Sequence, residues 1–261
     1  MADLELRIED GVMVATLNRP DKKNATSEEM LGTLREALIN ANDDPSIGCF
    51  VITGAGDAFC SGGDLRRRGE GQGDPTPLER KNRLLATQRV ALTVDAFEKP
   101  LIAAVNGPAV GAGMDLALMC DLRFAANSAR FSEGYIRVGL IPGNGGCWFL
   151  PRLVGTARAL ELLWTGDYVG SEEALRIGLV NRVVPDDSLM AETLTFAKRL
   201  AEGPPVQLRD IKKLMYQSMR TDLRTSLEAV ASHMAVVQST DDYREAVQAF
   251  KDKRKPKFRG R

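Results

Sequence analysis

Residues 105–121, VNGPAVGAGMDLALMCD, constrain this chain more than any other stretch. An apolar run of strand length, Leu101–Val105 (LIAAV), leads into Gly107, Gly111 and Gly113. From about Gly113 the run MDLALM has the length and apolarity of a helix buried on most sides. Glycine permits backbone angles and close approaches that a Cβ forbids. The N–H groups that open a helix have no intrahelical partner and carry partial positive charge, so they suit an anion or a developing oxyanion. A tight turn in an α/β core accounts for the same residues without any ligand. A second stretch, Val51–Leu65 (VITGAGDAFCSGGDL), repeats the pattern: the strand CFVIT runs into Gly54, Gly56 and then Ser61-Gly62-Gly63-Asp64. Two such turns can aim two main-chain N–H groups at one point.

Together the two stretches resemble the paired oxyanion-hole segments of the crotonase superfamily, the enoyl-CoA hydratase/isomerase family. Three further segments match in the same order: NRPDKKNATS near the start, VGLIPGNGG after the second turn, and AFKDKRKPKFRGR at the end. The resemblance implies an α/β fold, a crotonase-like spiral of ββα units with a C-terminal helical region. It implies a core over residues 1–195 that holds a coenzyme A pocket, and helices over 196–261 that make oligomer contacts. The substrate would be an acyl-CoA, with coenzyme A part of the thioester and no tightly bound cofactor. The assembly would be a homotrimer or a dimer of trimers.

Composition agrees with a globular protein of this kind. A chain of 261 residues can bury a sizeable core, and 44% hydrophobic with 27% charged residues is ordinary for such a fold. Basic and acidic side chains balance at 35 each, so no overall field argues for nucleic acid or a membrane surface. Arg66-Arg67-Arg68 and Lys251–Arg261 are local basic runs, suited to a phosphorylated ligand or simply solvated. Cys49, Cys60, Cys120 and Cys147 show no CxxC spacing and read as four reduced, packed thiols in a cytoplasmic protein. With one histidine, His233, a His-based metal cluster is excluded, and no metal is expected. MADLELRIEDG is not a signal peptide, and no apolar run approaches the ~18 residues of a membrane span.

Along the chain, Leu4–Ile8 and Val12–Leu17 read as strands joined at Glu9-Asp10-Gly11. Thr26-Ser27-Glu28-Glu29 fits a capping box opened by Thr26, before a helix with Met30, Leu34 and Leu38 on one face. Arg66–Lys81 reads as a polar loop placed as a lid or pocket wall, followed by a helix from roughly Leu84 to Phe97. Leu122–Ala126 is a strand. Phe131–Val138 and the loop Leu140–Gly146 lead to a helix near Ala157–Thr165, and the remainder is expected to be helical. Ser171 is a helix cap and Gly178 a stop. Leu208, Ile211 and Met215 form one apolar stripe, and Tyr243, Val247 and Phe250 another.

By position against the family motif, the oxyanion donors are the N–H groups of Gly63 and Ala112. Lys23, Ala25, Ser61, Gly62, Asp64, Leu65, Arg66 and Gly111 fall where the family lies against coenzyme A. Phe250 and Lys253 match positions that often reach the cofactor from a neighbouring subunit. Hydratases of the family hold a water between two glutamates. Here Asp115 stands at the first of those positions and Tyr135 at the second, while Gly143 replaces an aspartate of some isomerases. Asp115, on the first turn of the buried helix, is expected to have its pKa held down unless burial opposes it. Tyrosine is a poor base near neutrality but donates a proton or hydrogen bond well. Glu133 reads first as a surface charge; on a strand it would share the face of Tyr135. Asp115 is therefore the principal base, with Tyr135 or Glu133 assisting.

Hydration and double-bond isomerisation both remain open. So do a catalytically silent acyl-CoA-binding homologue and a crotonase-type hydrolase or decarboxylase. A serine hydrolase lacks its GxSxG, and the glycines do not complete a dinucleotide fingerprint.

Overall fold

In the computed structural model, which describes residues 2–64 and 75–261, the sheet begins with a hairpin. Strands β1 (Leu4–Glu9) and β2 (Val12–Leu17) pair antiparallel. Asp10 (φ 49°) and Gly11 (φ 75°) turn it in the left-handed region that a two-residue hairpin loop demands. From β2 onward every pairing in the large sheet is parallel, through β3 (Cys49–Gly54), β4 (Leu101–Val105), β6 (Leu122–Ala126) and β9 (Arg182–Val184). Parallel neighbours need crossover helices. Between β2 and β6 those are α1 (Glu28–Asp43), α2 (Pro77–Asp95) and α3 (Ala112–Met119).

Both faces of this sheet are covered, which is why its strands read as unbroken apolar runs. Side chains alternate between two cores. Phe50, Ile52, Leu101, Ala103 and Val105 pack with Met30, Leu34 and Leu38 of α1. Cys49, Val51, Ile102, Ala104 and Phe124 pack on the other side with Leu189 and Ala197 of α7 (Leu189–Ala201). Residue 195, taken as the edge of the core region, lies within this helix.

After β2, β3, β4 and β6 the chain adds a short extended piece to a second ladder. Thr26, after β2, bridges Gly63, after β3; Cys60 bridges Ala109, which follows β4. Strand β5 (Ala109–Val110) then pairs with β7 (Arg130–Ser132), and β7 with β8 (Val169–Gly170). Strand, short strand, helix, repeated along an axis, is the spiral of ββα units. The two glycine segments thus become neighbours in space.

Several local expectations shift. The cap of α1 is Ser27, whose hydroxyl accepts from Met30 N–H, not Thr26. Helix α2 begins at Pro77 rather than near Leu84: Thr76 and Glu79 make a reciprocal capping box, so the end of the expected loop is the first turn of a helix. The rest of that loop, through residue 74, lies outside the described residues. An extra helix, α4 (Gly146–Val154), precedes α5 (Thr156–Thr165). Strands β8 and β9 interrupt the stretch read as helical. Ser171 sits inside α6 (Ser171–Arg176) rather than at its cap, and its hydroxyl donates to the Asn127 carbonyl. Helices α8 (Pro205–Ser218), α9 (Leu223–Ser239) and α10 (Asp241–Lys251) complete the chain. Among the described residues no helix is long and apolar enough to cross a membrane.

Candidate active site

The two glycine segments meet at backbone distance. Val110 N–H donates to the Cys60 carbonyl at 2.9 Å, and Cys60 N–H to the Pro108 carbonyl at 3.1 Å. A Cβ on Gly113 would stand 2.1 Å from the Cys60 carbonyl oxygen, so only glycine lets α3 start there. Gly62, at φ 97°, is placed so that its own Cβ would lie 3.6 Å from the Ala112 nitrogen. Ala112 opens α3 after Gly111, which offers no side-chain cap. Among the described residues neither Gly63 N–H nor Ala112 N–H has a hydrogen-bond acceptor.

A buried clasp holds the first segment in place. Arg19, 7% exposed, donates to the Ala25 carbonyl at 2.7 Å and pairs with Asp64 at 3.2 Å. Asn24 is fully buried in the left-handed region (φ 56°), and its amide donates to the carbonyls of Ala55 and Ala58. Ser61 N–H donates to the Lys23 carbonyl, and the Lys23 ammonium pairs with Asp57 at 2.6 Å. So Lys23, Ala25, Ser61, Gly62, Gly63 and Asp64 form one cluster beside Gly111 and Ala112. Arg19 and Asn24 were not singled out from sequence; an Asn at the end of a short Pro-initiated turn was the signal available. Leu65 and Arg66 lie outside the described residues. Phe250, 85% exposed on α10, and Lys253 are not joined to the cluster. The bonds of that tail run to Glu202, Asp242 and Glu245.

Beyond Ala112, the second segment carries Asp115, which is fully buried. Its Oδ2 accepts the Tyr135 hydroxyl at 2.5 Å and Asn144 N–H at 3.2 Å. Burial dominates its titration and pushes the carboxyl up to about 6, against the lowering pull of Tyr135 and of the N–H groups of Asn144 and Gly146. The expected depression at the helix start is thus reversed. The Tyr135 phenol is raised further, by burial and then by Asp115, and stays protonated. Helix α2 steadies the adjoining loop: Thr87 donates to the Asn144 side chain and Gln88 to the Gly143 carbonyl. A Cβ on Gly143 would meet only the terminal methyl of the exposed Leu84, at 2.9 Å.

Glu133 is not a surface charge. It is 1% exposed, and β7 has already ended at Ser132, so no shared strand face brings it near Tyr135. It stands at the N-cap position of the 3-10 turn Gly134–Val138, with no capping bond from its side chain. Burial, then the Asp115 charge, pushes its carboxyl up to about 9. Cys49, Cys60 and Cys120 are packed as expected, but Cys147 is exposed.

A buried carboxylate in hydrogen bond with a phenol, beside two unpaired main-chain donors, is equipped to move a proton next to a carbonyl. The comparisons with known proteins agree in class. A family model described as enoyl-CoA hydratase/isomerase matches residues 7–261. The chain is 36% identical over 254 residues to crotonyl-CoA hydratase of Syntrophomonas wolfei, covering 97% of this chain and 96% of that protein. It is 38% identical over 259 residues to 1,2-epoxyphenylacetyl-CoA isomerase of Escherichia coli, covering 97% of each. A solved enoyl-CoA hydratase from Bacillus anthracis matches with a TM-score of 0.94 at 32% identity, over 99% of this chain and 100% of that one. With the sheet, the spiral and these matches running nearly end to end, the chain belongs to the enoyl-CoA hydratase/isomerase family of the crotonase superfamily and is an enzyme acting on acyl-CoA thioesters.

Proposed function

We propose that the enzyme shifts the double bond of an enoyl-CoA, with Asp115 as base and the N–H groups of Gly63 and Ala112 as donors to the thioester oxygen. Removing a proton beside a thioester leaves an enolate, and two preorganised main-chain donors are the cheapest way to hold its charge. Each such donor contributes about 3–4 kcal/mol to the transition state. Among the described residues both N–H groups lack an acceptor, and both sit where the two glycine segments touch.

The observation that carries this reading is the direct bond between Tyr135 and Asp115 at 2.5 Å. The groups at the two positions that hold a water in the two-glutamate hydratases here touch each other. One ionised carboxylate can take a proton at one carbon and return it at another, so isomerisation needs no further base. Hydration would require these two groups to part. Lys23, Ala25, Ser61, Gly62, Asp64 and Gly111, with Leu65 and Arg66, are assigned to the coenzyme A moiety of the substrate. Phe250 and Lys253 are assigned to the same moiety in a neighbouring subunit. Exposed apolar side chains on the C-terminal helices, Ile211 and Met215 on α8 and Tyr243 and Val247 on α10, support a trimer or dimer of trimers. The same faces support treating residues 196–261 as the contact region and 1–195 as the core. Unpaired thiols at all four cysteines fit a cytoplasmic protein.

The test is Asp115→Asn, assayed on paired 2-enoyl and 3-enoyl thioesters. The expected loss in kcat is about 10²–10⁴-fold, the range for a general base. Unchanged turnover would remove Asp115 from the mechanism. Acyl-CoA binding by the unmodified protein without turnover of any thioester in the panel would mark a silent homologue instead.

A further inference from the structure

Glu133 has no part in the chemistry above, yet its position is unusual. Among the described residues both of its carboxyl oxygens, and Oδ1 of Asp115, are buried with no hydrogen-bond partner. The two carboxyls converge over Gly146, the first residue of α4. A Cβ on Gly146 would stand 2.7 Å from Asp115 Oδ1 and 2.7 Å from Glu133 Oε1, so the oxygens lie at most twice that distance apart. The titratable groups facing the pair are Tyr135 from the 3-10 turn and Cys147 from α4. Helix α2 presents the neutral Leu84, Thr87 and Gln88 to the loop above. Among the described residues no lysine or arginine pairs with either carboxyl.

An ionised carboxylate buried without donors is costly, and a second one close by is costlier still. One of the two must carry a proton. Asp115 has two donors on Oδ2 and Glu133 has none, so Glu133 is the neutral member. A neutral carboxylic acid is a donor in search of an acceptor, and Asp115 Oδ1 keeps an open acceptor site even with the Gly146 N–H acting on the carboxyl.

We propose that Glu133 is a positioning residue for the base: it stays a neutral carboxylic acid and turns its O–H toward Asp115 Oδ1 across the gap that Gly146 leaves open. Asp115 is then held by donors on both oxygens, with Oδ2 toward Tyr135. The proton on Glu133 is neither consumed nor transferred in the cycle. This rests on Asp115 being the base.

The experiment compares the unmodified enzyme with Glu133→Gln and Glu133→Leu. Glutamine keeps a donor of the same size and removes the ionisation; leucine removes both. In the unmodified enzyme kcat/KM should fall at the alkaline end as Glu133 ionises and sets a second charge beside Asp115. That alkaline limb should vanish in Glu133→Gln, with the acid limb kept, and kcat should fall further in Glu133→Leu than in Glu133→Gln. A readout independent of turnover is the infrared stretch of a protonated carboxyl at pH 8, present in the unmodified enzyme and lost in Glu133→Gln. An alkaline limb identical in both proteins, or no protonated-carboxyl band removed by Glu133→Gln, overturns the proposal. If no enoyl thioester is turned over, the base assignment fails, while the infrared titration still decides whether Glu133 holds its proton.

Discussion

Tyr135→Phe removes a single oxygen atom and leaves the ring that stands against Gly111. That oxygen donates to Asp115 Oδ2 at 2.5 Å, and among the described residues Asn144 N–H, at 3.2 Å, is the other hydrogen-bond donor to the same atom. A hydrogen bond to a charged acceptor contributes about 1.5–3 kcal/mol, and one pKa unit corresponds to about 1.36 kcal/mol. The hydroxyl stabilises the ionised form of Asp115, so without it the acid keeps its proton to higher pH. The Asp115 carboxyl, already at about 6, should rise by a further one to two units or so. The acid limb of kcat/KM against pH should move up by that amount. The loss should be largest at the acid end and shrink as the pH climbs past the new pKa. The assay is turnover of a 3-enoyl thioester, followed by the absorbance of the conjugated product across the pH range, with folding checked by circular dichroism. An acid limb that stays in place refutes the electrostatic account of Tyr135. A uniform loss at every pH refutes it differently, by showing that the hydroxyl itself acts on the substrate.

Two further outcomes follow from the carboxyl pair. Gly146→Ala places a methyl 2.7 Å from both Asp115 Oδ1 and Glu133 Oε1 and 3.0 Å from Pro142 Cβ, at a backbone position alanine accepts. Forced contacts of this kind cost about 1–3 kcal/mol, and misplacing a base by ~1 Å costs about 10²-fold in rate, so kcat should fall steeply with KM little changed. Wild-type kcat in this variant would show that the carboxyls have slack. Glu133 also burdens stability in a pH-dependent way. Its folded pKa, about 9, lies above the ordinary 4.5, so the folded state binds the extra proton and stability declines as pH rises between those values. Glu133→Gln removes that slope, at most ~1.4 kcal/mol per pH unit. Its stability in urea should therefore gain on the unmodified protein from pH 5 to pH 8; a constant difference would mean Glu133 is not titrating out of range.

Most elements were legible in the sequence because their signals are local. The run LIAAV is a strand with the bounds its apolarity suggests, and CFVIT is one that runs a residue further, to Gly54, since a parallel strand covered on both faces needs no other cue. The failures were also local in cause. Gly and Pro punctuation hid the Thr76–Glu79 capping box, so α2 was begun late. The glycines before α4, and Pro151 inside it, leave residues 147–154 without a local helix signal. Strand β9 is three residues long and exists because Phe124–Ala126 offers it an edge.

The sequence by itself determined the fold family, the two glycine turns and the residue types available at the site. Order along the chain and local pattern are enough for that. Only the tertiary structure decided how those residues behave. Asp115 sits at a helix start that favours its charge, but burial by α4 and the 3-10 turn outweighs the dipole. Glu133 looked like a surface charge because nothing within its own segment says otherwise. Its surroundings come from Asp115 and Gly146, which lie on separate helices, and desolvation is set by what packs around a group rather than by its neighbours in sequence.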